Sequence, residues 1–326
     1  MHSIIATLLA SSALVCAFPH QGSFQHRHFH DKRDSAAVHE ARDATSDLVI
    51  ASGKKLAIAY TPFTTATKQT CKEKQDIQSD IQEIAAKGFS TVRIYGTNCQ
   101  EHEHVGEAAK AHGLNIILGV DIGRPEEGNG IGSKYVDGII SDITTTYQRN
   151  GWWDIVTLVV YGNEAIFSGC TSVGSLASGF SATKALFKTA GYNGNFSTAE
   201  PMNIIAEHKD TLCPLMDVVG SNIHPFFNPQ TTAASAGTFV ASSLRDLAAY
   251  CPGGKAVINL ETGWPSGPAG SGDPNHGPVA GPEQQKTAIK NIVDCAGDHS
   301  VILSWTDDMW KAPGEEQFWG VHSIFS

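Results

Sequence analysis

Eight short strand-like runs recur along the chain, and a helix-patterned stretch follows each of the first seven. The runs are Leu56–Tyr60, Thr91–Gly96, Asn115–Asp121, Val156–Gly162, Phe196–Ala199, Val218–His224, Ala256–Leu260 and Val301–Trp305. Most are nearly continuous apolar stretches, such as Ile116-Ile117-Leu118-Gly119-Val120, a pattern that suits parallel strands covered on both faces. Gln75–Lys87, Glu101–His112, Lys134–Arg149, Ser175–Ala190, Asn203–Leu212, Ala233–Tyr250 and Glu283–Cys295 read as helices. The first two are followed by Gly88 and Gly113, the residue type that most often closes a helix. Strand–helix repetition through a whole chain leaves a barrel or a doubly wound sheet. Eight strands, with no G-x-G-x-x-G and no phosphate loop, favour a single-domain (β/α)8 TIM barrel over residues 55–326. Trp152-Trp153, ahead of the fourth strand, reads as packing at the barrel bottom. Gly123 to Gly132 reads as a loop after the third strand, because it lacks the Lys-Ser/Thr ending of a phosphate loop.

The residues before the barrel read as processing segments. Met1 to Ala17 holds a short apolar run, Ile4 to Val15, and small residues before Phe18, as a secretory signal does. Residues 18–33 are polar and carry His20, His26, His28 and His30 before the dibasic pair Lys32-Arg33. With no cysteine and no core-forming pattern they read as a propeptide rather than a metal site, and residues 34–54 as a linker. No later segment approaches the roughly 18 apolar residues of a membrane span, and no hydrophobic tail suggests a lipid anchor. Nor does a Ser/Thr/Pro-rich linker point to a separate binding module. The expected location is extracellular or the cell wall, with no membrane partner.

Charge and cysteines narrow the chemistry further. The formal net charge is −10. Residues 1–33 contain three bases (Arg27, Lys32, Arg33) and one acid (Asp31), so their removal leaves −12. Such a chain repels phosphate backbones, which argues against nucleic acid and for an uncharged substrate. Cys16 leaves with the signal, and the even set Cys71, Cys99, Cys170, Cys213, Cys251 and Cys295 suggests disulfides in an exported chain. Fifteen pairings are possible; 71–99, 170–213 and 251–295 are favoured because each ties neighbouring βα units. No C-x-x-C occurs, and neither metal nor cofactor is expected. Asn195-Phe196-Ser197 is a glycosylation acceptor if exposed. The chain is expected to act as a monomer.

In a barrel the C-terminal strand ends face the active site. That rule selects Tyr60, Tyr95, Asn98, Asp121, Asn163, Glu164, Glu200, the His224-Pro225-Phe226-Phe227 run, Glu261 with Trp264, and Trp305, Asp307 and Asp308. Aromatic faces stack on sugar rings, while amides and acids bind hydroxyls. Basic groups that would hold a phosphorylated substrate are scarce. Glycoside cleavage needs two carboxyl groups flanking the scissile bond. Glu164 and Glu261, at the ends of the fourth and seventh strands, lie across the mouth from each other. Asn163 is placed to donate a hydrogen bond to the sugar 2-hydroxyl, an interaction that strengthens in the transition state.

Over residues 55–324 the sequence resembles glycoside hydrolase family 17, the endo-β-1,3-glucanases, and especially its fungal soluble cell-wall branch. The motifs are Gly162-Asn163-Glu164-Ala165 and Glu261-Thr262-Gly263-Trp264-Pro265-Ser266, with Thr91-Val92-Arg93-Ile94-Tyr95-Gly96 and His224-Pro225-Phe226-Phe227. Asp307-Asp308-Met309-Trp310-Lys311 and Glu316-Gln317-Phe318-Trp319-Gly320 also match. The resemblance implies a retaining mechanism with Glu164 as acid/base and Glu261 as nucleophile. It places Asp308, Lys311 and Glu316 near that pair. Tyr60, Tyr95, Asn163, Glu200, His224, Phe226, Phe227 and Trp264 complete the expected contacts with β-1,3-glucan or its oligosaccharides. Three positions depart from the pattern: Asp308 where Glu is usual, Tyr161 where Val or Ile is common, and Glu200 where fungal relatives often show Asp. Hydrolysis is the leading expectation. Transglycosylation uses the same glutamates, and a non-catalytic wall-binding protein is the reading from another class, which loss of either glutamate would have supported.

Overall fold

The structure, a computed structural model, describes residues 56–268 and 277–325. The signal, propeptide and linker expected over 1–17, 18–33 and 34–54 lie outside the described residues. Eight parallel strands form one sheet: β1 (Ala57–Ala59), β2 (Thr91–Ile94), β3 (Asn115–Val120), β4 (Val156–Asn163), β5 (Asn195–Ala199), β6 (Val219–Asn222), β7 (Val257–Thr262) and β8 (Ser300–Ile302). Their order, β5-β4-β3-β2-β1-β8-β7-β6, curls the sheet into a (β/α)8 barrel. The helices are α1 (Lys74–Ala86), α2 (Glu101–His112), α3 (Lys134–Asn150), α4 (Val173–Thr189), α5 (Met202–Glu207), α6 (Lys209–Leu215), α7 (Ala236–Tyr250) and α8 (Pro282–Ala296).

Two hydrophobic layers follow from the alternation of side chains along each strand. Ala57, Ala59, Ile117, Leu158, Val160, Ala199, Leu260 and Val301 pack together inside the barrel. Their neighbours, such as Ile58, Ile116, Leu118 and Val159, pack outward against the helices. On α1 the three buried residues are Ile77, Ile81 and Ile84, as the sequence spacing requires. Gly113 and Gly151 close α2 and α3 in the left-handed conformation, and Ser133 and Ser172 cap α3 and α4. Trp152 packs edge-on and Trp153 at a tilt against Tyr147, as expected of packing residues.

The barrel closes between β5 and β6 largely without a regular ladder. Backbone bonds from Asp217 to Phe196 and from Asn222 to Glu200 hold its two ends. Between them, Ser197 Oγ accepts from the Gly220 amide at 3.0 Å and Ser221 Oγ donates to the Glu200 carbonyl at 2.7 Å. Side-chain hydroxyls thus stand in for strand-to-strand bonds along this seam.

Two expectations need correction. The single helix expected over 203–212 is two short helices that break at His208, and Pro214, which cannot donate a backbone hydrogen bond, lies in the second. Cys71 does pair with Cys99, but Cys213 pairs with Cys251, not Cys170, because α6 and the end of α7 bring their Cα atoms within 5.3 Å. Cys170 is a free thiol in the loop after β4, and the Cys213–Cys251 bond rules out the expected 251–295 pair. Asn195 is exposed at the start of β5, whereas Ser197 of the same acceptor triplet is buried in the barrel wall.

Candidate active site

Arg93 organises the barrel mouth. It projects from β2 with 1 % exposure. Its Nη1 donates to Glu261 Oε1 at 3.0 Å and to the Leu260 carbonyl, and its Nη2 donates to Asn163 Oδ1 at 2.8 Å. Asn163 Oδ1 also accepts from Asn222 Nδ2 at 3.1 Å, and the same nitrogen donates to Glu164 Oε1 at 2.9 Å. One continuous chain therefore runs Glu261, Arg93, Asn163, Asn222, Glu164. Two donors on Asn163 Oδ1 fix the orientation of that amide. Its NH2 is left for a ligand, on a side chain exposed in the cleft.

The two carboxyl groups lie in this chain with opposite electrostatics. Burial pushes Glu261 up, but Arg93 and the hydrogen-bonding His224 outweigh it and hold the carboxyl at about 2. His224 Nε2 lies 3.4 Å from Glu261 Oε2. The Tyr95 hydroxyl faces the same carboxylate but reaches no hydrogen bond of full geometry. Glu164 moves the other way. Burial raises its pKa first and the Glu261 charge adds to this, against Asn222, His224 and Arg93. Carboxyl groups pushed apart in this way divide into an ionised base or nucleophile and a protonated acid.

Glu164 sits just past β4 with φ 51, a left-handed conformation costly for a residue with a Cβ. Its amide donates to the Ala199 carbonyl at 2.7 Å, and its carbonyl accepts from Ser168 through both backbone and hydroxyl. These bonds fix the backbone from which the side chain enters the cleft. On the opposite side, Asn259 in β7 bonds both the amide and the carbonyl of Ile223, fixing the chain that carries His224.

The cleft around these groups has a volume of about 790 Å³, within the usual range for ligand sites. Phe167 and Phe227, each 57 % exposed, stand on the β4–β6 side, and Phe63 and Trp310 on the β1–β8 side. Asp308 accepts from Thr61 and Trp310 and pairs with Lys311 at 3.2 Å. Lys311 in turn lies 3.9 Å from Glu316.

The family model described as the BtgE/BtgC glycoside hydrolase domain matches residues 57–320, nearly the whole barrel. The chain belongs to this family. BtgE/BtgC relatives include a protein of Emericella nidulans named probable beta-glucosidase btgE, 42 % identical over 284 residues, which cover 85 % of this chain and 48 % of the relative. One from Aspergillus terreus with the same name is 43 % identical over 271 residues, 82 % of this chain and 45 % of the relative. The chain thus spans about half the length of the curated relatives it matches. Two solved structures share the fold. The family 17 β-1,3-glucanosyltransferase of Rhizomucor miehei has a TM-score of 0.67 at 22 % identity, covering 83 % of this chain and 94 % of that one. An endo-laminarinase from Formosa has the same TM-score at 14 % identity, covering 82 % of each chain.

In this BtgE/BtgC domain the cleft brings together Glu164, Glu261, Tyr95, Asn163, His224, Phe227, Asp308, Lys311 and Glu316. Four expected contacts do not line it. Tyr60 is fully buried and donates to Asp80 on α1 at 2.8 Å. Trp264 is fully buried, donates to the Val279 carbonyl and packs on Phe226, which is itself 8 % exposed. Glu200 is fully buried beneath the turn after Glu164. Asp308 bonds neither Glu164 nor Glu261, consistent with its short side chain. Further residues at the site with no role assigned from sequence include Arg93, Asn222, Phe63, Phe167 and Trp310. An arginine inside the apolar run Thr-Val-Arg-Ile was a usable signal, since arginines are seldom fully buried without a partner. Phe167 carried none.

Proposed function

We propose that the chain is a secreted, retaining family 17 enzyme acting on β-1,3-glucan. The observation that carries this reading is the pair of carboxyl groups at the ends of β4 and β7, joined in one hydrogen-bonded chain, with pKa values shifted in opposite directions. Glu261 attacks the anomeric carbon as the bond to the leaving oxygen breaks, and the Glu164 proton goes to that oxygen. Glu164, now a carboxylate, takes a proton from water or a sugar hydroxyl. The activated oxygen attacks the anomeric carbon and releases Glu261. The amide NH2 of Asn163 holds the 2-hydroxyl through both steps. The disulfides Cys71–Cys99 and Cys213–Cys251 fit an oxidising compartment and so support export.

Aromatic faces on opposite walls favour a glucan chain that crosses the carboxyl pair, with sugars bound on both sides. That supports internal cleavage, and transfer to a second glucan where an acceptor displaces water. The laminaritriose complex of the Rhizomucor transferase indicates the oligosaccharide class to try. The name of the curated relatives points instead to release of single glucose units. Laminari-oligosaccharides of defined length decide among these. Mid-length products mark internal cleavage, products longer than the substrate mark transfer, and glucose alone marks a glucosidase. Proton NMR should show the β-anomer first. An initial α-anomer would overturn double displacement, and no cleavage of any β-glucan would overturn the assignment.

A further inference from the structure

We propose that Glu200 is a positioning residue that clamps the turn bearing Glu164 and Phe167 and so sets the acid's geometry. Glu200 follows β5 and points away from the barrel interior. Its Oε1 accepts from the Ile166 amide at 2.8 Å and its Oε2 from the Phe167 amide at 3.1 Å. Its own carbonyl accepts from the Asn222 amide at 3.1 Å and from Ser221 Oγ at 2.7 Å. One residue therefore holds the Glu164 turn by its side chain and the end of β6 by its backbone. The two routes meet at Glu164 Oε1, where the Asn222 side chain donates at 2.9 Å.

The chemistry of the residue fits this use. Two amides converge on it, and a carboxylate offers an acceptor at each end. Glutamine of the same length offers one acceptor and one donor. Glu200 is fully buried and has no cationic partner among the described residues. Burial raises its pKa, and the backbone N–H bonds oppose that rise. A charge in that setting is tolerated because of the amides it holds. The left-handed Glu164 backbone is a strained state that needs such external restraint. Besides Asn222, the groups facing the Glu164 carboxyl are Glu261 from β7, His224 beyond β6 and Arg93 from β2. The Glu164 charge also acts on Glu200 itself and raises its pKa, so amide exchange, not the pH limb alone, decides the clamp.

The proposal rests on Glu164 being the acid/base, but its direct test needs no turnover. Amide hydrogen exchange is compared in the full chain for wild type, Glu200→Gln and Glu200→Asp. In Glu200→Gln, protection at Ile166 and Phe167 should fall about tenfold or more, while β3 and β4 amides keep theirs. With laminari-oligosaccharides, kcat should fall about ten- to a hundredfold, and the alkaline limb of kcat/KM should move by about half a pH unit or more. Glu200→Asp keeps both acceptors on a shorter arm and should fall between. Unchanged protection at these two amides overturns the clamp. So does an activity loss with an unmoved alkaline limb. If Glu200→Gln fails to fold, Glu200→Asp decides by the same readouts. A wild type that cleaves no glucan removes the functional reading, while the exchange data still judge the clamp.

Discussion

The Asn222 amide donates to Glu164 across 2.9 Å, joining side chains from β6 and from the end of β4, strands that are not neighbours in the sheet. Asn222 lies in register with Glu261 on β7 yet spends its hydrogen bonds on the opposite carboxyl and on Asn163. Its bond stabilises the ionised form of Glu164 and so limits the rise in that pKa. Asn222→Ala should therefore push Glu164 higher still and move the alkaline limb of the activity profile to higher pH. A kcat loss of about tenfold should accompany it. A limb that moves to lower pH would contradict this reading of the bond.

Glu261→Ala should lower turnover by about 10⁴-fold or more. It also leaves Arg93 with a buried, uncompensated charge, which typically costs about 3–5 kcal/mol. Azide should answer both defects. It should restore cleavage of an activated β-glucoside with formation of the α-glycosyl azide, and it should raise the melting temperature of the variant but not of the wild type. Wild-type turnover in Glu261→Ala would remove Glu261 as nucleophile.

Stability should peak on the acidic side of neutrality. Glu261 has a folded pKa near 2, below its ordinary 4.5. Its contribution is present above the ordinary value and is lost as pH falls through about 2, on the order of 3 kcal/mol. Glu164, Glu200 and Asp307 are raised, and burial lifts Glu101 to about 8. Their contributions are present below their ordinary values and are lost as pH rises through the folded ones. Urea midpoints at about pH 3, 5 and 8 should be highest at the middle value. A midpoint that climbs from pH 5 to 8 would refute the balance.

Peptide mapping without reduction should find Cys71 joined to Cys99 and Cys213 to Cys251, with Cys170 open to alkylation in the native protein. A Cys170–Cys213 peptide would restore the pairing expected from sequence. Replacing both Cys213 and Cys251 with serine should cost about 2–4 kcal/mol of stability.

The barrel was legible because its strands are buried on both faces, so runs such as Ile116 to Val120 cannot be mistaken for amphipathic surface. The strand-end rule also selected Glu164 and Glu261, which both line the cleft. It could not tell which way a strand-end side chain turns. Ala59 and Ala199 point inward, so one residue later Tyr60 turns to Asp80 on α1 and Glu200 turns to the Ile166 and Phe167 amides after β4. Parity along the strand was available for that distinction, but only once an inward residue was known. The break at His208 escaped notice because Asn203–Leu212 keeps helical spacing across it. Cysteine pairing depends on how α6 meets α7, a contact with no local signature.

The seam between β5 and β6 is the one joint of the described barrel without a strand ladder, and so the expected place for it to open. It is held by a backbone bond at each end and by two serine hydroxyls between them, and it lies between the turn that carries Glu164 and the strand that carries Asn222. If heat or denaturant parts the sheet there first, Glu164 should lose its Asn222 partner while the helical shell is still intact. The proposed activity should then be lost at a lower temperature than secondary structure, and should return on cooling as one edge rejoins.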